Sequence, residues 1–264
     1  ISLFSFSTSI IFSIIFSPIL SKSETYLSFI FPSIPNRDLE EIWKYVRISF
    51  SENYSLNYIP KKREIINFHN QSKNINLSVL ERTLNKDFAA RLSNQKWLVK
   101  ICKILDLVPA DVHSIGHATF TWRLTRPNSD NDFRPLHRDS WFRLNNKESK
   151  IIDDKKNTHI QTVKIWIALN VVLGKSGLLI APHSQKSSTP GYSVVKSDGY
   201  LKPLINSHEE IPKMDIANTP SGSYIIFGED LIHGGAPNTS DECRISLEIP
   251  LGPKNYKARP YSRY

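Results

Sequence analysis

Three side chains in the second half of this 264-residue chain are of the types that hold a metal. His137 and Asp139 stand two positions apart in Arg134-Pro-Leu-His137-Arg-Asp139-Ser-Trp141, and His233 stands in Gly228-Glu-Asp-Leu-Ile-His233-Gly-Gly-Ala-Pro-Asn. In extended backbone a His-x-Asp pair shares one face, because strand side chains alternate with a period of two. Two histidines and one carboxylate on one face are the donor set that binds iron while leaving the opposite coordination positions open. Arg244 and Ser246 follow His233 across an expected turn of Gly234, Gly235, Pro237, Asn238 and Asp241. They share a strand face, so a guanidinium fork and a hydroxyl can hold a carboxylate close to the metal. That arrangement seats 2-oxoglutarate, whose keto-acid end chelates iron while its far carboxylate needs a bidentate partner. The same donor set could also carry zinc hydrolysis, which would leave Arg244 and Ser246 without a purpose.

The elements that must position these groups read as short strands. Ser114 to Thr125, Gln161 to Asn170, Gly177 to Ala181, Ser223 to Phe227 and Arg244 to Ile249 are rich in β-branched and aromatic residues and bounded by Gly, Pro, Asn or Ser. Strands without intervening helices, and no Gly-rich phosphate loop, predict a sandwich or jelly roll rather than a doubly wound sheet. Ahead of them, from Asn36 to Pro109, the apolar spacing is helical. Leu39, Ile42, Tyr45 and Val46 fall on one side, and Asn76 to Leu107 repeats the pattern with a break near Asn94-Gln95 and a stop at Pro109. These residues read as a helical layer packed on a sheet, with His69 in a polar connection. The segment from Gln185 to Met214 shows no clear periodicity and reads as a lid loop.

Composition narrows the setting. A hydrophobic content of 40% over 264 residues supports one good-sized core. Cys102 and Cys243 are too few for a disulfide framework and have no CxxC spacing, which argues against cysteine-ligated zinc. The net charge of +9 suits an anionic partner. Lacking a Lys/Arg run interleaved with aromatics, the chain is expected to take a small-molecule substrate and no nucleic acid. Ile1 to Ser21 carry no charge, but their serines, Pro18, and the missing basic flank and cleavage site argue against a signal or a span. No stable membrane association and a cytoplasmic location are therefore expected. The reading divides the chain into a hydrophobic N-terminal segment, 1–35, and a single domain, 36–264. Within the domain, 36–110 give helical support, 111–252 the β core and 253–264 a basic tail.

Singly, each motif is weak; their order is specific. Trp122-Arg-Leu-Thr-Arg-Pro127, Pro135-Leu-His-Arg-Asp-Ser-Trp-Phe142, Lys164-Ile-Trp-Ile-Ala-Leu-Asn170, Ser176-Gly-Leu-Leu-Ile-Ala-Pro-His-Ser184 and His233-Gly-Gly-Ala-Pro-Asn with Arg244-Ile-Ser246 lie in the region from about Thr121 to Ile249, about half of the chain. In these segments the chain resembles the phytanoyl-CoA dioxygenase-like family of Fe(II)/2-oxoglutarate-dependent oxygenases. The resemblance implies a double-stranded β-helix, a jelly-roll or cupin-like core flanked by helices. It implies Fe(II) held by His137, Asp139 and His233, 2-oxoglutarate held by Arg244 and Ser246 beside Trp166, and O2 as second cosubstrate. The implied reaction decarboxylates 2-oxoglutarate to succinate and CO2 and hydroxylates a substrate; an aspartate at 139 argues against halogenation. Relatives usually have Pro-Gly-Ser-His where this chain has Ala181-Pro-His-Ser184, and His183 is read as a loop-capping residue rather than an iron ligand. Arg123, Arg126, Arg134, Arg138 and Arg143 crowd the metal motif; of these Arg123 and Arg138, with Trp141, are the candidates for substrate contact. An oxygenase acting on nucleic acid or protein, and a non-catalytic β-helix binding module, stand as alternatives.

Overall fold

The computed structural model describes residues 32–72, 77, 82–132, 135–144, 162–186, 191–197, 200–206 and 213–256. The whole uncharged stretch 1–21, Arg134, the side chain of Arg143 and the far end of the basic tail lie outside the described residues.

Helix α1 (Asn36–Asn53) forms where the apolar spacing predicts, burying Ile42, Trp43, Tyr45, Val46 and Phe50. A short α2 (Lys62–Ile66) follows, then α3 (Lys86–Ser93), whose first turn is capped by the Asn85 side chain accepting from Phe88 N at 3.0 Å. Asn94 and Gln95 separate α3 from α4 (Lys96–Leu105), as expected. The stop comes earlier than Pro109. Asp106 takes a left-handed conformation with φ 52°, and Val108–Pro109 becomes a two-residue strand, β1. A proline is tolerated there because β1 lies at the edge of its sheet.

The larger sheet is antiparallel and built around β10 (Arg244–Gly252), which pairs with β1, with β2 (Thr121–Thr125) and with β3 (Val163–Asn170); β3 in turn pairs with β8 (Tyr224–Gly228). A smaller antiparallel sheet runs β7 (Asp215–Ala217), β4 (Leu178–Ile180), β9 (His233–Gly235). A separate hairpin joins β5 (Tyr192–Ser197) to β6 (Tyr200–Ile205).

Alternation along β10 sorts its side chains to two sides. Ile245, Leu247, Ile249 and Leu251 join Trp122, Leu124, Ile165 and Ile167 and the buried residues of α1 in one apolar cluster. Trp122 Nε1 also donates to Ser49 Oγ of α1 at 2.9 Å, which satisfies a buried donor and fixes the helix to the sheet. The intervening residues face the other way. Trp166 and Ala168 of β3 and Phe227 of β8 cluster with Leu178 and Ile180 of β4, so this face looks towards the smaller sheet. By register, Arg244, Ser246 and Glu248 of β10, Thr121, Arg123 and Thr125 of β2, and Lys164 of β3 stand on that inner face.

The helical cluster supplies the cohesion of the whole site. Leu247 is fully buried between β2 and β3, and Leu247→Ala is expected to cost about 2–5 kcal/mol. Denaturant unfolding checks this: the midpoint falls while the slope is unchanged.

Three expectations change. The second half is not free of helix, because Asp139–Leu144 form a short helix, α5. Gly234 and Gly235 belong to strand β9 rather than to a turn. The segment 185–214 contains the β5–β6 hairpin instead of an aperiodic loop.

Candidate metal centre

His137 and His233 are held together by their own backbones. His137 N donates to His233 O at 2.9 Å and His233 N donates to His137 O at 3.0 Å, an isolated antiparallel bridge at the edge of the smaller sheet. Both residues are buried, and their ring centroids stand 4.5 Å apart. Asp139 does not continue a strand with His137. It opens α5, where a carboxylate suits the free N–H groups of a first turn, and it still reaches the histidines. Its Oδ1 lies 3.6 Å from His137 Nε2 and 3.8 Å from His233 Nε2, and one ligand atom from each of the three residues falls within 4.8 Å of the others.

Hydrogen bonding sets the tautomers. His137 Nδ1 is 2.7 Å from Pro135 O and His233 Nδ1 is 2.9 Å from Leu231 O. A carbonyl can only accept, so each Nδ1 carries a proton and each Nε2 is the nitrogen turned towards Asp139. Burial above all, with the charges of His137 and Lys164, pushes the His233 imidazole down to about 3 against the opposing pull of Asp139. Burial on its own would raise Asp139, but the Lys164 ammonium and the two histidines hold it well below the usual carboxylate range. His233 is therefore a neutral imidazole and Asp139 an anion at neutral pH, the state in which each can donate to a divalent cation.

These shifts give acid sensitivity a definite sign. Between pH 6.5 and about 3 the unfolded chain protonates His233 while the folded chain does not, so stability is present above 6.5 and is lost as pH falls. Asp139, also depressed, adds loss in the same direction at still lower pH. The metal-free protein should lose about 2 kcal/mol between pH 6.5 and 5 through His233. Thermal melts across that range are expected to show the loss in the parent and a flatter profile in His233→Asn.

Sequence reading did not single out Lys164. Its Nζ, from β3, lies 2.8 Å from Asp139 Oδ2 and 2.9 Å from Oδ1. It also lies 3.8 Å from Glu248 Oε2, and Arg123 NH2 reaches that same oxygen at 3.3 Å. Arg123, one of the substrate candidates, thus meets Glu248 on the inner face. The other two stand apart from it: Arg138 NH2 donates to Ser184 O at 2.7 Å, and its guanidinium lies 6.0 Å from the Trp141 ring centroid. Trp141 is buried in α5 and stacks on Tyr192 of the hairpin at 4.4 Å and 7°. Arg126 is taken up by Asp132, with Nε to Oδ2 at 2.7 Å. His183 is exposed, has a φ of 65° and is not part of the ligand cluster.

Along the inner face from the triad, Trp166 is buried, cross-strand from Glu248, and Arg244 and Ser246 follow on β10. Arg244 NH1 donates to Gly177 O at 2.5 Å and NH2 to Thr125 Oγ1 at 2.7 Å. Burial lowers this guanidinium to about 10, which leaves it charged at neutral pH. Arg244 Nε and Ser246 Oγ are buried without a hydrogen-bond partner among the described residues. Leaving buried donors unpaired costs about 1–3 kcal/mol each. Two such donors on one strand face suit an acceptor-rich group such as a carboxylate.

Compared with known proteins, the profile described as Phytanoyl-CoA dioxygenase (PhyH) matches residues 55–246, a stretch that includes all three candidate ligands, Arg244 and Ser246. The chain belongs to the phytanoyl-CoA dioxygenase family. It is a non-haem enzyme of the Fe(II)/2-oxoglutarate type, with Fe(II) as cofactor and 2-oxoglutarate and O2 as cosubstrates. No curated protein matches it. Among solved structures it is similar in fold to AviO1 from Streptomyces viridochromogenes, with a TM-score of 0.52, 14% identity, 87% of this chain and 90% of that chain covered. It is also similar to the epimerase SnoN in complex with Fe3+, alpha-ketoglutarate and nogalamycin RO, with a TM-score of 0.51, 13% identity and 88% and 81% covered. Among the described residues no helix of this family member is long and apolar enough to cross a membrane.

Proposed function

We propose that this chain is an Fe(II)- and 2-oxoglutarate-dependent dioxygenase that hydroxylates a small anionic or polyhydroxylated metabolite. The observation that carries the cosubstrate part is the pair of unpaired buried donors, Arg244 Nε and Ser246 Oγ, on the face that bears the triad's lysine partner. His137 and His233 would hold iron through Nε2 and Asp139 through a carboxylate oxygen. Arg244 and Ser246 would take the far carboxylate of 2-oxoglutarate, and the buried Trp166 would wall its path. When bound, this group supplies O2 activation, placing one oxygen in succinate, releasing CO2 and delivering the other to a substrate C–H.

The chain's own residues then have definite tasks. The carbonyls of Pro135 and Leu231 keep the Nε2 atoms aimed inward. Thr125 and Gly177 hold Arg244 in one orientation. Trp166, Ala168 and Phe227 exclude water from the inner face. The strand order, with β2, β10, β3 and β8 facing His137, β9, β4 and β7, supports the double-stranded β-helix reading of the core. Residues 36–264 are proposed as a single domain, and a cytoplasmic location suits its two unpaired cysteines. The substrate side follows from the inner-face cations Lys164 and Arg123 and the overall charge of +9.

The test is turnover of 2-oxoglutarate with Fe(II) and O2 against a library of carboxylated, phosphorylated and polyhydroxylated metabolites. A substrate that raises succinate formation and gains one oxygen by mass is the expected outcome. Conversion of the substrate without mass change would favour epimerisation, the activity named for SnoN, over hydroxylation. Absence of succinate formation under all conditions would reject the reading.

A further inference from the structure

Four charged side chains run in series from the triad across the inner face, and the reaction assigned above needs only the first of them. Asp139 meets Lys164 at 2.8 Å, Lys164 meets Glu248 at 3.8 Å, and Glu248 meets Arg123 at 3.3 Å. They come from four elements, α5, β3, β10 and β2, and are mostly enclosed. Their side chains are 22%, 16%, 17% and 14% exposed respectively. Enclosed charges of this kind are costly unless each has a partner, and here the signs alternate without a gap. Glu248 has an evident need of its two cations, because it stands on β10 two residues from Ser246, on the wall where a dianionic cosubstrate is expected.

We propose that Lys164 is a positioning residue for the metal, and that Glu248 and Arg123 hold it in place. Asp139 has two oxygens and could turn either or both towards a cation. In this structure Oδ1 is the oxygen that faces both histidine Nε2 atoms, and the ammonium of Lys164 bridges the carboxylate, 2.8 Å from Oδ2 and 2.9 Å from Oδ1. Lys164 thereby fixes the orientation of the carboxylate with Oδ1 turned towards both imidazoles, and its positive charge keeps Asp139 an anion beside them. Glu248 supplies the counter-charge that lets a cation sit so close to a metal site, and Arg123 anchors Glu248 from β2. The ladder makes the shape of the metal pocket depend on the wall beside Arg244 and Ser246.

The inference rests on the triad reading and can fail separately from it. Mn(II) binding by calorimetry and the visible spectrum of the Co(II)-loaded protein are measured for the full chain, with His233→Ala as the control for the triad. Lys164→Met is expected to weaken Mn(II) binding about 10–100-fold, the usual effect of losing a partner of a metal ligand. It should also change the Co(II) bands as Asp139 loses its fixed orientation. Lys164→Arg should restore most of the affinity, and Glu248→Gln, which keeps shape but releases Lys164, should give an intermediate loss. If Lys164→Met fails to fold, Glu248→Gln alone decides. Parent-like Mn(II) affinity and Co(II) spectra in Lys164→Met or Glu248→Gln, with binding lost in His233→Ala, would overturn the ladder and leave the triad standing. Unchanged metal binding in His233→Ala would reject the triad itself.

Discussion

His233→Ala is expected to lower Fe(II)-dependent formation of succinate from 2-oxoglutarate about a thousandfold or more. A bound metal contributes several kcal/mol of charge stabilisation, and each 1.36 kcal/mol is a factor of ten in rate. The substitution is a clean one, because the bridge to His137 runs through backbone atoms and survives it. Loss of the imidazole opens a small cavity beside Phe227, whose ring centroid is 4.7 Å away. Asp139→Ala should remove activity equally but cost more stability. Lys164 would keep only Glu248, at 3.8 Å, and an enclosed charge that loses its partner is destabilising by about 3–5 kcal/mol. The assay is succinate release with a thermal melt of each variant. An active, metal-binding His233→Ala protein would remove the site from consideration.

Arg244→Ala should act on the cosubstrate rather than the metal. Truncating one partner of a buried charge pair costs about 2–5 kcal/mol, which corresponds to a rise of about 30-fold or more in the 2-oxoglutarate concentration needed for half-maximal turnover. Mn(II) affinity measured without cosubstrate should stay near that of the parent, since Arg244 is not among the residues that meet the triad. Ser246→Ala removes one neutral donor and is expected to cost only about tenfold. The measurement is a 2-oxoglutarate titration of succinate formation. Equal requirements in parent and Arg244→Ala would place the carboxylate elsewhere.

The sequence carried the regular parts of this architecture in its periodicity. Val163–Asn170, Leu178–Ile180, Tyr224–Gly228 and Arg244–Gly252 were legible because apolar and β-branched residues dominate them, and α1, α3 and α4 because their apolar residues recur every three or four positions. The candidate ligands, which the structure brings together, were legible by residue type and order. Their local backbone was not: a two-residue spacing suits a strand face, yet Asp139 begins a helix, and an isolated bridge brings His137 to the right place instead. The β5–β6 hairpin had a readable signal, alternation around Asp198-Gly199, that the polar composition of the segment obscured. Lys164 and Glu248 had none. Each is an ordinary charged residue in a strand, and only the pairing of β3 with β10 and the turn of α5 towards them give either a role.

The backbone bridge between His137 and His233 also bears on how this scaffold can change over time. Long stretches of chain lie between the two ligands, including the β5–β6 hairpin and the segment that leads from α5 into β3. Because the two imidazoles are spaced by reciprocal peptide hydrogen bonds, insertions or deletions in that intervening chain need not alter their separation. Those intervening segments can therefore lengthen, shrink or be exchanged while the spacing of the two imidazoles is inherited intact.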